Sequence, residues 1–83
     1  MAEHDPDLPA VSPEVRMGND IARQFAHLPE ADAVAAVGNH LVMFWDPRMR
    51  TALAAEVDRD PDQLDPLVVD AVRERADLFP VTR

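Results

Sequence analysis

Three dipeptides constrain this chain more than any other feature: Ser12-Pro13, Asp46-Pro47 and Asp65-Pro66. Each joins a side-chain oxygen that can accept from the orphan N–H groups of a helix start to a proline whose missing N–H is no loss at the first helical position. The proline also steers the residue before it towards the extended geometry that an N-cap adopts. Helices are therefore expected to start at Pro13, Pro47 and Pro66. A fourth start follows Pro29, which closes one apolar pattern just before Glu30 opens another.

Between these starts the apolar residues recur at helical spacing. Met17, Ile21, Phe25 and Leu28 form one face of a first helix, with Gly18 and Ala22 beside it, and Pro29 ends it. The second helix runs from about Glu30 to Phe44 with a stripe of Val34, Val37, Leu41, Phe44 and Trp45; Gly38 on that stripe suits close approach of a neighbouring helix. The third, Pro47 to about Asp58, presents Met49, Ala52, Leu53 and Val57. An acidic linker, Arg59-Asp60-Pro61-Asp62-Gln63, leads into a fourth helix ending at Phe79-Pro80. Its core residues are Leu67, Val68, Ala71, Val72 and Leu78, with a hydrophobic staple between Leu64 and Val69. Neither strand alternation nor an Asn-Gly or Asp-Gly turn is present. The expected fold is all-α: a small bundle of about four short helices over residues 12–79, after a disordered, flexible acidic arm (1–11) and before a tail (80–83). Val42, Met43, Val69 and Phe79 lie off the stripes, which marks either a partner surface or a wider core.

Size and charge narrow the function. A chain of 83 residues makes one domain, near the limit where a lone core leaves only a few kcal/mol of net stability. It has no cysteine, so no disulfide and no thiolate metal site, in agreement with a reducing cytosol. Apolar runs fall short of the roughly 20 residues that span a bilayer, and the acidic start is unlike a secretory signal. A cytoplasmic chain with no membrane partner is expected. Net charge is −8 and all eight basic residues are arginine, so there is no basic stripe for a phosphate backbone and nucleic acid is not an expected partner.

The parts of a catalytic centre are missing. The single serine, Ser12, is a helix cap, and Thr51 and Thr82 have no histidine at a telling spacing. His4, His27 and His40 include no i, i+4 pair. Asp58, Asp60 and Asp62 alternate like the opening of a calcium loop, but Gln63 stands where that loop needs glycine and Val69 where it needs a bidentate glutamate. Both glycines sit inside helical patterns, leaving no phosphate-cradling loop. No catalytic, cofactor-binding or metal residue is expected in this chain.

What remains is the stretch MFWDPRMR, residues 43–50. It sets the only tryptophan, Trp45, beside Phe44, caps a helix with Asp46, and follows with Arg48 and Arg50 around Met49. Tryptophan and arginine are the types most enriched at interface hot spots, and guanidinium both stacks on rings and pairs with carboxylates. A partner interface is expected at Phe44, Trp45, Asp46, Arg48, Met49 and Arg50, alongside the plainer reading of the same residues as a helix corner.

This stretch also carries a resemblance. Together with Ser12-Pro13, Met17, Asn19, Ile21, Ala22, Phe25, Asn39-His40-Leu41 and Leu64-Asp65-Pro66-Leu67-Val68, the run FWDPRMR resembles the delta subunit of NAD-dependent, molybdenum- or tungsten-containing formate dehydrogenases. The resemblance implies a small non-catalytic subunit with no cofactor of its own, docked on a large alpha subunit and stabilising the complex or assisting its assembly. It implies bis-molybdopterin guanine dinucleotide and iron–sulfur clusters on alpha, and FMN and further clusters on the beta and gamma subunits that pass electrons to NAD. The acidic segment 56–63 and the residues from Asp77 onward match that pattern poorly. A transient maturation factor for cofactor insertion, or a free-standing helical adaptor or regulator, are the alternative roles.

Overall fold

The structure is a computed structural model that describes residues 12–80; the arm over 1–11 and most of the tail lie outside the described residues. Four helices follow one another: α1 Pro13–Phe25, α2 Glu30–Phe44, α3 Pro47–Arg59 and α4 Pro66–Glu74, with short 3-10 turns at Pro61–Gln63 and Ala76–Leu78. Among the described residues there is no strand. The fold is the all-α bundle that the proline-marked starts require.

All three cap dipeptides do what their chemistry predicts. Ser12 Oγ accepts from the Val15 N–H at 3.2 Å, Asp46 Oδ1 from Met49 N–H at 2.9 Å and Asp65 Oδ1 from Leu67 N–H at 2.9 Å. Helix α2 begins without a side-chain cap, with Pro29 in the cap position; Glu30 and Asp32 in its first turn complement the positive helix end instead.

Two helix ends differ from expectation. Helix α1 stops at Phe25 instead of running on to Leu28, because the chain tightens before Pro29: Ala26 N–H donates to Arg23 O and Leu28 N–H to Phe25 O, both three residues back. Helix α4 stops at Glu74, where Arg75 leaves helical geometry at φ −121°, ψ 46°. The 3-10 turn that follows swings Phe79 into the core, where it is 2% exposed.

The core is wider than the sequence stripes. Val69 and Phe79, off the stripes, are buried with Leu41, Leu53, Val37 and Val68. Helix α1 is also rotated relative to its expected face: Val15, Gly18, Ile21 and Ala22 are buried, while Met17 is exposed and Phe25 half-buried. The reason is close approach. A methyl placed on Gly18 would meet Val68 Cγ1 at 3.6 Å and Leu53 Cδ1 at 3.7 Å, so the small residues lie on the contact with α3 and α4, not beside it. Met49 and Leu67 are likewise only half-buried at the core edge, and Leu78 is exposed.

Two polar clasps lock the packing. Asn19 on α1 donates from Nδ2 to the Gln63 carbonyl at 3.2 Å and accepts at Oδ1 from the Asp65 N–H at 2.7 Å, tying α1 to the corner before α4. Arg75 crosses from the end of α4 to α2, where Nη2 reaches Asn39 Oδ1 at 2.6 Å. Its path runs over Gly38: a Cβ there would lie 2.8 Å from Arg75 Nε. The close approach expected at Gly38 is therefore made by a side chain of the last turn rather than by a helix backbone.

Candidate partner interface

The corner between α2 and α3 separates its residues into a buried half and an exposed half. Helix α2 carries Val34, Val37 and Leu41 inward, and one further helical step reaches Trp45, which is 7% exposed. Phe44 sits one residue short of that step and so leaves the core stripe; it is 68% exposed, and Met43 beside it 74%. The expectation that Phe44 completes the core of α2 is thus corrected: Trp45 takes that place.

Trp45 ends the helix in extended geometry, φ −99° and ψ 139°, and its N–H still donates to Leu41 O at 3.0 Å. Asp46 then caps α3. Arg50, one turn into α3, folds back: Nη1 donates to the carbonyls of Val42 and Trp45, both at 3.2 Å. These are oxygens at the end of α2 and in the link beyond it, so the guanidinium closes α2 while belonging to α3. Its Nε is buried without a hydrogen-bond partner. Arg48, two residues earlier, is exposed, and among the described residues it has no ion-pair or hydrogen-bond partner. The two arginines of the motif therefore have different positions, one structural and one facing solvent.

Above the buried half lies a short aromatic stack. His40, one turn before Phe44, holds its ring 4.8 Å from that of Phe44 at 45°, and 6.3 Å from that of Phe25 at 61° in an edge arrangement. Phe44 is supported on one side by His40, which in turn meets Phe25 of α1, and is otherwise largely exposed. Of the six residues expected here, Phe44, Asp46 and Arg48 are exposed, Met49 and Arg50 half-buried and Trp45 buried. Sequence reasoning missed His40 as part of this surface, whereas Met43, one of the off-stripe residues expected to mark a partner surface or a wider core, is exposed. The signal was present in the i, i+4 spacing of His40 and Phe44, which places the two rings on one face.

Titration is displaced away from this corner. The Arg59 guanidinium, donating to Glu56 Oε1 from Nε at 3.2 Å and Nη2 at 2.5 Å, together with Gln63 Nε2 at 2.9 Å, holds the Glu56 carboxyl below its usual value of 4.5. The same pair raises Arg59 above its ordinary value. Between α3 and α4 lies a shallow hollow of about 190 Å³, with Val57, Pro61, Val72 and Phe79 among its lining residues, and with Asp58 and Arg73 as its charged members. Among the described residues no group of three or more histidine, aspartate or glutamate side chains gathers as metal ligands, and no helix is long and apolar enough to cross a membrane. Of the described histidines, His27 is exposed and His40 lies between two rings.

Comparison with known proteins gives one match. Residues 15–72 fit the family model described as NADH-dependent formate dehydrogenase delta subunit FdsD. No curated protein matches, and no solved structure does. The matched segment runs from the first buried residue of α1 to the last buried residue of α4 and takes in the whole Phe44 to Arg50 corner. The chain belongs to the delta-subunit family of NADH-dependent formate dehydrogenases.

Proposed function

We propose that this chain is a non-catalytic subunit that docks on the molybdenum- or tungsten-containing catalytic subunit of a cytoplasmic formate dehydrogenase and stabilises the assembled complex. The reaction, formate and NAD to carbon dioxide and NADH, belongs to its partners. Alpha carries the bis-molybdopterin guanine dinucleotide, and iron–sulfur clusters and FMN reside on alpha, beta and gamma. This chain has no cysteine thiolate for a cluster. The observation that carries the reading is the exposure of Phe44 and Met43 on a small domain whose other large apolar side chains are mostly buried.

The docking corner comprises Phe44, Trp45, Asp46, Arg48, Met49 and Arg50. Phe44 and Arg48 face the partner, while Trp45, Asp46 and Arg50 fix the angle at which they are presented. Preorganisation of this kind lowers the ordering cost of association. The test is co-purification: tagged chain from cells producing the whole complex should bring down the large subunit in constant proportion with the active enzyme. Recovery of the chain alone contradicts the proposal, and a substoichiometric amount in active enzyme moves the role to a transient maturation factor.

A further inference from the structure

The charges of this chain are unevenly placed. Of its 16 acidic residues, Asp46 alone falls between Asp32 and Glu56, and that same stretch contains Arg48, Arg50 and His40. The interval covers most of α2 and the first two turns of α3. In a chain of net charge −8 this stretch has one acid to two arginines, as does 15–29 with Asp20 between Arg16 and Arg23, but the two most exposed large apolar side chains of the described residues, Met43 and Phe44, lie here.

Within this stretch the chain meets its own needs for all but one cation. Arg50 is spent on the carbonyls of Val42 and Trp45, and the Asp46 carboxylate accepts from the Met49 N–H. Arg48 is left exposed four residues after Phe44, on the far side of the corner. An exposed guanidinium within five residues of an exposed thioether and of a ring propped by His40 sets two demands: an apolar concavity for Met43 and Phe44, and an acceptor near it for Arg48.

We propose that the partner surface is an apolar hollow edged by carboxylates on the catalytic subunit, with Phe44 and Met43 as the inserted anchors and Arg48 as the charge that sets orientation. This rests on the docking reading above and sharpens it by naming the chemistry that receives the corner. A carboxylate edge also suits the one acid of this stretch: Asp46 is engaged as a helix cap, so the partner supplies the acceptor that Arg48 lacks here. A second copy of the chain fits less well, since the face offers no carboxylate free of a capping role to receive its own Arg48.

The experiment binds purified chain to purified large subunit at two salt concentrations, using wild type, Phe44→Ser, Arg48→Glu and Arg48→Lys, with circular dichroism on each. All the substituted side chains are exposed, so helical content should match wild type. Phe44→Ser should weaken binding at least about tenfold at both salts. Arg48→Glu should weaken it severalfold or more at low salt and progressively less as salt rises, with Arg48→Lys recovering part of the loss. Wild type that binds, with Phe44→Ser and Arg48→Glu binding equally well, overturns the proposal and leaves the docking reading standing. Wild type that fails to bind overturns both. Sedimentation showing a dimer of the chain that Phe44→Ser dissolves replaces the proposed partner with a second copy.

Discussion

Two corners of this molecule are built with the same device and finished in opposite ways. At each an aspartate caps a helix whose first residue is proline: Asp46 with Pro47 before α3, Asp65 with Pro66 before α4. At the second corner the residue before the cap, Leu64, is buried at 5% exposure, and Asn19 from α1 binds backbone on both sides of it. At the first corner Trp45 before the cap is buried too, but Phe44 and Met43 next to it stand in solvent; the clasp there comes from Arg50 of α3 itself, and among the described residues neither α1 nor α4 hydrogen-bonds across them. The second corner is closed by the chain itself, and the first is held only from beneath. The cap chemistry sets where a helix starts, whereas the neighbouring elements decide whether the corner is core or surface.

The comparison can be broken most sharply at Trp45. Trp45→Ala should cost about 3–5 kcal/mol of stability, as large aromatic truncations in cores do, whereas Phe44→Ser next to it should stay within about 0.5 kcal/mol. Urea unfolding followed by circular dichroism separates the two. A small effect at Trp45 would mean that the first corner is not anchored from below. The closed corner offers the next effect: Asn19→Ala leaves the Asp65 N–H without its acceptor and should cost roughly 1–3 kcal/mol. The same unfolding measurement checks it, and near-neutrality would show that the clasp is not what closes that corner.

The smallest effect comes from the pair flanking the closed corner. Glu56 titrates lower in the folded chain than its usual value of 4.5, because Arg59 and Gln63 donate to its ionised form. A depressed carboxyl contributes stability that is fully present above the ordinary value and is lost as pH falls through the folded one. Thermal unfolding of wild type and Glu56→Gln should therefore differ slightly near neutrality and converge in acid below that value. A gap that persists unchanged in acid would contradict the ion-pair origin.

How much of this was legible beforehand follows from which interactions are local. Helix starts at Pro13, Pro47 and Pro66 rest on contacts within three residues, and the sequence patterns placed them correctly. The end of α4 and the inward turn of Phe79 depend on Arg75 and on space over Gly38, more than thirty residues away, and periodicity extended the helix too far. The face of α1 was misjudged for a related reason: hydrophobic size pointed to Met17, but tight packing on α3 and α4 favoured Gly18 and Ala22. In the same way Trp45 and Phe44 are adjacent and equally apolar. Only the step of four from Leu41 distinguishes the one that enters the core, and the expected stripe counted both. The partition of Arg48 and Arg50 was not visible either, since it depends on Arg50 folding back onto carbonyls at the end of α2.

The asymmetry between the two corners predicts where a partner leaves its mark. Amide hydrogen exchange of the chain alone and in the assembled enzyme compares them directly. Docking through the first corner should slow exchange across residues 40–50 and leave 60–66 near its rate in the free chain. Protection confined to 60–66, or an unchanged pattern at both corners in the complex, would contradict it.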